Sequence, residues 1–184
     1  LLQRCGVLLM LILFTAIVVK AQVRAPWTCN GSTGTVDETS YNLTRYHNGA
    51  VTISDFAPIQ AEAIIRYNIT ATSGLSWGNR TIFKARIRDN GSQARVVLYV
   101  RAYNLQTGIT STLYEFDSDR WQAMNDYRVV ELGFGGPTFS GGLLPCVNDF
   151  TTFGYYIEAH LIRTGTDGEP GLGLMQLNNI QIIA

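Results

Sequence analysis

Five asparagines, Asn30, Asn42, Asn68, Asn79 and Asn90, each open an Asn-x-Ser/Thr triplet with no intervening proline. That pattern is the acceptor for N-linked glycan, in which the carboxamide nitrogen takes the sugar. Asn90 is expected at a turn tip, Asn79 in a glycine-rich turn, and Asn68 on the outward phase of a strand. A second chemistry is sugar stacking, in which ring C–H groups meet an aromatic face. Trp77 and Trp121, both near turns, and the outward tyrosines Tyr99 and Tyr103 have the right side chains. The competing reading of the tryptophans is structural: aromatic caps over the ends of a β fold.

Other reactive types are sparse. Cys5 lies in the N-terminal apolar run, leaving Cys29 and Cys146 to pair as a disulfide in an oxidising compartment. A bridge closing so long a loop contributes about 4–5 kcal/mol on a loop-entropy argument. Glu115, Asp117 and Asp119 in "EFDSDRW" offer oxygens for Ca²⁺ but lack the fuller acidic and glycine pattern of a calcium loop. No CxxC pair or other metal spacing occurs, so no metal site and no cofactor beyond covalent glycan is expected. His47 and His160 are the only histidines, and His160 sits two residues from Glu158 in outward phase, as a surface pair does. No nucleophile elbow is present, and the glycine-rich "GFGGPTFSGGLLP" lacks the ending of a phosphate loop. The chain is therefore expected not to be an enzyme.

These residues must be held by strands. The dominant hydrophobic period is two. In "TIFKARIRD", Phe83, Ala85 and Ile87 alternate with Lys84, Arg86 and Arg88; in "ARVVLYVRAY", Val96, Leu98, Val100 and Ala102 alternate with Arg95, Tyr99, Arg101 and Tyr103. The intervening "RDNGSQ" tolerates positive φ, and the pair reads as a hairpin whose polar face is locally basic. "EAIIRYNIT" turns Ile65, Tyr67 and Ile69 inward, and "YYIEAHLIR" buries Tyr155, Ile157, Ala159 and Leu161. With "AVTISDF", "GITSTLYEF", "YRVVELGF" and "LGLMQLNNIQII", the pattern predicts a single antiparallel β-sandwich or jelly roll of about seven to nine strands.

The N-terminus carries a different signal. "GVLLMLILFTAIVV" is an uncharged run after Arg4, and Val19-Lys20-Ala21 suits signal-peptidase cleavage before Gln22. The run is shorter than the roughly 20 residues of a membrane-spanning helix. Residues 1–21 are read as a signal peptide or retained hydrophobic segment, 22–30 as an extended arm, and 31–184 as the sandwich domain. Location is then extracellular, with no membrane contact in the mature form. In the arm, Val23, Ala25 and Trp27 alternate with polar residues and Pro26. Such a segment lies in its own sheet or inserts into a neighbour's. Formal net charge is zero and charged residues make up 15% of the chain, which argues against a nucleic-acid partner.

The phrases "KARIRDNGSQARVVLYVRAYNLQTG" and "GYYIEAHLIRTGTDGEPGLGLMQLNNI" resemble those of small secreted β-sandwich proteins of uncharacterised function. The layout of leader, alternating arm and one sandwich domain is similar to donor-strand-type extracellular fibre subunits. That resemblance implies a structural glycoprotein that self-assembles as a surface or filament subunit. The alternative, from the tryptophans, is a carbohydrate-binding, lectin-like module with glycans as partners.

Overall fold

The computed structural model describes residues 25–73, 75, 80–132 and 149–180. The apolar N-terminal run, Val23, Cys146, Trp77, Asn79 and the glycine-rich loop lie outside the described residues. Among those described, no helix is long and apolar enough to cross a membrane.

Eleven strands are described. They are β1 (Trp27–Asn30), β2 (Thr35–Val36), β3 (Thr44–His47), β4 (Ala50–Ile53), β5 (Ala61–Ile69) and β6 (Arg80–Asp89). There follow β7 (Ala94–Asn104), β8 (Thr110–Asp117), β9 (Met124–Leu132), β10 (Phe153–Arg163) and β11 (Gly171–Ile180). The front sheet runs β2-β5-β10-β7-β8, and the back sheet β3-β4-β11-β6-β9 with β1 also paired to β11. All described pairings are antiparallel. The fold is a β-sandwich, as the period of two requires.

Alternation fills the space between the sheets. β5 buries Ala63, Ile65, Tyr67 and Ile69; β7 buries Val96, Leu98, Val100 and Ala102; β10 buries Tyr155, Ile157, Ala159 and Leu161. From the back sheet, Val51, Phe83, Ala85, Ile87, Val130, Leu172, Met175 and Leu177 meet them in one continuous core. Inside it the Tyr67 hydroxyl donates to the Gly31 carbonyl at 2.7 Å. A Cβ at Gly31 would stand 2.0 Å from the Leu172 carbonyl oxygen, so only glycine fits there.

One expectation is corrected. β6 and β7 do not form a hairpin: β6 pairs with β11 and β9, whereas β7 pairs with β10 and β8. The two apolar faces each need a cover, and lying in opposite sheets lets them cover one another. The connecting loop is an arch between sheets, fastened to the β10–β11 crossover. Asn90 donates through Nδ2 to the Asp167 carbonyl at 2.5 Å and accepts through Oδ1 from the Glu169 N–H at 2.7 Å. Gln93 accepts from the Thr164 and Asp167 N–H groups. The expected basic face is accordingly split: Lys84, Arg86 and Arg88 belong to the back sheet, Arg95 and Arg101 to the front.

The hairpins that do form are β3–β4 and β7–β8. The first turns on Asn48-Gly49, both at positive φ (49° and 79°), as a two-residue primed turn demands. At the end of β10 the inward Arg163, 8% exposed, donates to the carbonyls of Ser54, Ala57 and Pro58 and so holds the β4–β5 crossover.

From Trp27 onward the arm belongs to its own chain. Trp27, Thr28, Cys29 and Asn30 pair with Leu177, Gln176, Met175 and Leu174 of β11. Trp27 is buried in the core, and the exposed Ala25 donates its N–H to Ser73 Oγ at 3.1 Å. Trp27–Asn30 are thus the first described strand of the back sheet.

Candidate functional site on the front sheet

Antiparallel register builds the outer face of the front sheet row by row. One row sets Arg66 of β5, Glu158 of β10, Tyr99 of β7 and Glu115 of β8 side by side. The next sets Asn68, Tyr156, Arg101 and Thr112; beyond it come Gly154, Tyr103 and Thr110. Except at the Thr110 end of β8, these positions alternate with residues that face the core, which points them outward.

Glu158 anchors the face. It accepts from Arg66 Nε at 3.0 Å and from Arg101 Nη2 at 2.9 Å, with His160 Nε2 3.4 Å away. Arg66 also donates to Asp37 at 3.0 Å, Arg101 reaches Thr112 Oγ1, and His160 Nδ1 lies 2.7 Å from Glu62. Burial works against the charged form of Glu158, but the bonds from Arg101, Arg66 and His160 more than reverse it. Its carboxyl is thereby held below the usual carboxylate range. The hydroxyl of Thr39, then the Arg66 guanidinium, lower Asp37 likewise.

The aromatic groups divide into engaged and open rings. The Arg101 guanidinium lies over Tyr99 at 4.4 Å, and His160 meets the same ring edge-on at a 5.3 Å centroid separation. Tyr103 and Tyr156 have no ring partner among the described residues. They are diagonal neighbours, about 7 Å apart by strand geometry. Gly154 is directly opposite Tyr103 and two residues from Tyr156, and a Cβ there would meet nothing within 4 Å. The result is a shallow dip at Gly154 beside the Tyr156 ring, with the ion-paired Arg101 and Glu158 and the exposed Asn68 alongside, while the Tyr103 hydroxyl reaches the other way, to 3.4 Å from where a Cβ on Gly108 would stand. Rings take the apolar face of a sugar; guanidinium, carboxylate and carboxamide take its hydroxyls.

Of the tryptophan candidates, Trp121 is not on this face. It follows the 3-10 turn Ser118–Arg120 on the β8–β9 crossover, partly buried against Phe116 (centroids 6.1 Å apart), with Arg128 over its ring. That is the capping role. The possible Ca²⁺ oxygens are occupied by cations: Asp117 receives two bonds from Arg95, Asp119 pairs with Arg95 and Glu115 with Arg120. Among the described residues no group of three or more His, Cys, Asp or Glu is placed to hold a metal. His47 is an exposed strand-end residue bonded to Asn48. A cleft of about 150 Å³ between the crossovers is lined by Arg45, Asp55, Arg88, Arg163 and Glu169. Its charges are self-paired, Arg45 with Asp55 and Arg88 with Glu169.

Among the described residues Cys29 has no disulfide partner, and its partly exposed thiol lies 3.0 Å from Thr33 Oγ1. Its expected partner Cys146 lies outside the described residues. Of the sequon asparagines, Asn30, Asn42 and Asn68 are exposed, and Asn90 is half-buried in the arch. Tyr156 and Gly154 were not singled out from sequence. Their signal was the phase opposite to Tyr155, which marks both as outward.

No protein-family model matches the chain, and no curated protein matches its sequence. Solved structures share the general shape. A family two carbohydrate esterase from Cellvibrio japonicus is similar over 86% of this chain at 10% identity and a TM-score of 0.40. The chain spans about a third (35%) of that protein's length. The xylan-binding module CBM15 is similar at 8% identity and a TM-score of 0.49, over 86% of this chain and 98% of that one. The CBM36-1 domain of a multidomain xylanase from the hindgut metagenome of Trinervitermes trinervoides gives 12% identity and a TM-score of 0.45, over 86% and 100%. At such identities and scores no ligand or activity transfers to this chain.

Proposed function

We propose that this chain is a non-catalytic carbohydrate-binding β-sandwich module, secreted, with the outer face of the front sheet as its binding surface. The observation that carries this is the dip at Gly154 beside the open ring of Tyr156, with Tyr103 across from it in register and Arg101, Glu158 and Asn68 on the same face. The ion-pair network fixes Arg101 and Glu158 before any ligand arrives, which limits the ordering cost of binding. A nearly flat sheet face suits an extended saccharide chain rather than a buried monosaccharide. The assembly reading drew on an N-terminal arm that lies in its own sheet or inserts into a neighbour's, and Trp27–Asn30 of that arm pair with β11 of the same chain.

The test is titration calorimetry against soluble xylan, mannan, galactan, mixed-linked glucan and a polyuronate. Tyr156→Ala and Tyr103→Ala are each expected to weaken the positive interaction about tenfold. Trp121→Ala is expected to lower stability instead, because that ring caps the core. Absence of binding by the wild type across the panel, or unchanged affinity in both tyrosine variants, would sink the proposal.

A further inference from the structure

We propose that Asn68 is an N-glycan acceptor whose glycan occupies the Tyr103–Gly154–Tyr156 dip, so that the modified chain is closed to external saccharides and the unmodified chain is open. This rests on the carbohydrate-binding reading of the front sheet.

The sequon Asn68-Ile69-Thr70 places its asparagine directly opposite Tyr156 in the β5–β10 register. Directly opposed side chains in an antiparallel pair stand about 5 Å apart at Cβ. A sugar on Asn68 Nδ2 therefore starts at the rim of the dip, with an open phenol ring as its nearest neighbour. Asn68 is exposed, and its carboxamide has no hydrogen-bond partner among the described residues. Asn90 is the contrast. Its Nδ2, the atom that would take the sugar, already donates to the Asp167 carbonyl, and its Oδ1 is bonded to the Glu169 N–H. The other described sequons point elsewhere: Asn30 lies on β1 of the back sheet, and Asn42 in the 3-10 segment Glu38–Leu43. Among described sequons, Asn68 alone shares the face with the open rings.

The modification is an ordinary glycosyl transfer from a polyprenyl-diphosphate-linked oligosaccharide. The new bond joins Asn68 Nδ2 to the anomeric carbon, the bond from that carbon to the diphosphate oxygen breaks, the amide gives up one proton, and the polyprenyl diphosphate leaves. Strand position is no obstacle, since transfer acts on the extended chain before folding and the outward phase leaves the product in solvent. Once attached, the glycan is an intramolecular ligand at an effective concentration of about millimolar. An external saccharide of similar intrinsic affinity then loses the competition.

The experiment compares three preparations of the full chain: wild type from a bacterial host without N-glycosylation, wild type from a glycosylating eukaryotic host, and Thr70→Ala from that same host. Thr70→Ala destroys the sequon while leaving Asn68 in place, and matching melting temperatures verify its fold. Glycopeptide mass spectrometry reads occupancy at Asn68, and calorimetry reads binding of the best saccharide from the panel. The inference expects Asn68 occupied in the eukaryotic wild type, with affinity about tenfold or more below that of the other two preparations. An unoccupied Asn68, or an occupied one with unchanged affinity, overturns it while leaving the binding face standing. Failure of all three preparations to bind any saccharide overturns the reading beneath it, a different pattern of results.

Discussion

Glu158 shows how one carboxylate organises the neighbours a ligand would meet. Two guanidinium groups converge on it while its side chain is only 12% exposed. Because its pKa in the folded state is held below the value it has unfolded, the native protein binds fewer protons than the unfolded chain in the acid range. Its contribution to stability is therefore complete above the unfolded value, about 4.3, and is lost as pH falls through the lower folded value. Glu158→Gln is expected to lower the melting temperature at neutral pH. The gap from wild type should narrow as pH falls below the unfolded value and through the lower folded one, because the wild-type carboxylate is then being protonated too. A melting series across that range checks it, and a gap independent of pH would contradict the assignment. Gly154 allows a second test. Its outward Cβ position is open, and glycine weakens a strand interior. Gly154→Val is expected to fill the dip and abolish saccharide binding while leaving stability equal or raised, read by calorimetry and thermal melting. These outward positions were legible from phase alone: Tyr156 is outward because Tyr155 is inward. What phase cannot say is which ring already has a partner. Tyr99 read as an open candidate, and the fold covers it with Arg101 and His160.

Strands and turns were legible unevenly. Alternation in β5, β6, β7 and β10 predicted which side chains are buried, because period two follows directly from the pleat. It carries no information on neighbours, and so the β6–β7 connection read as a hairpin when it is an arch between sheets. A marker of the arch is the pair of side chains that fasten it to the β10–β11 crossover, and those partners are far away in sequence. The hairpin signal that does hold, Asn48-Gly49, is faint in the sequence because the flanking strands are only four residues each. Asn90→Ala is expected to destabilise the protein by about 1–3 kcal/mol, since it leaves the Glu169 N–H without its acceptor and removes a donor from the Asp167 carbonyl. The exposed Asn42→Ala, in contrast, is expected to stay within about 0.5 kcal/mol. Chemical denaturation of both variants decides it. Equal effects would mean that the arch is not fastened through Asn90.

As a whole, the molecule is two sheets sharing one core, closed at one end by crossovers that Arg163, Asn90 and Gln93 tie together. The first strand completes the back sheet from within the chain, which moves attention from the arm to the open front face. The same strands serve both surfaces: along β10, residues 155, 157, 159 and 161 fill the core, and residues 154, 156, 158 and 160 build the face. This division separates recognition from core packing. A substitution on the face changes no core volume, and a core repair alters no ligand contact. A library randomised at Asn68, Tyr103, Gly154, Tyr156 and His160 is thus expected to stay folded in most members and to yield clones of altered glycan preference, scored by display and melting. The alternating strand is in that sense a source of evolvability: the face can be rewritten many times on a core that never registers the change.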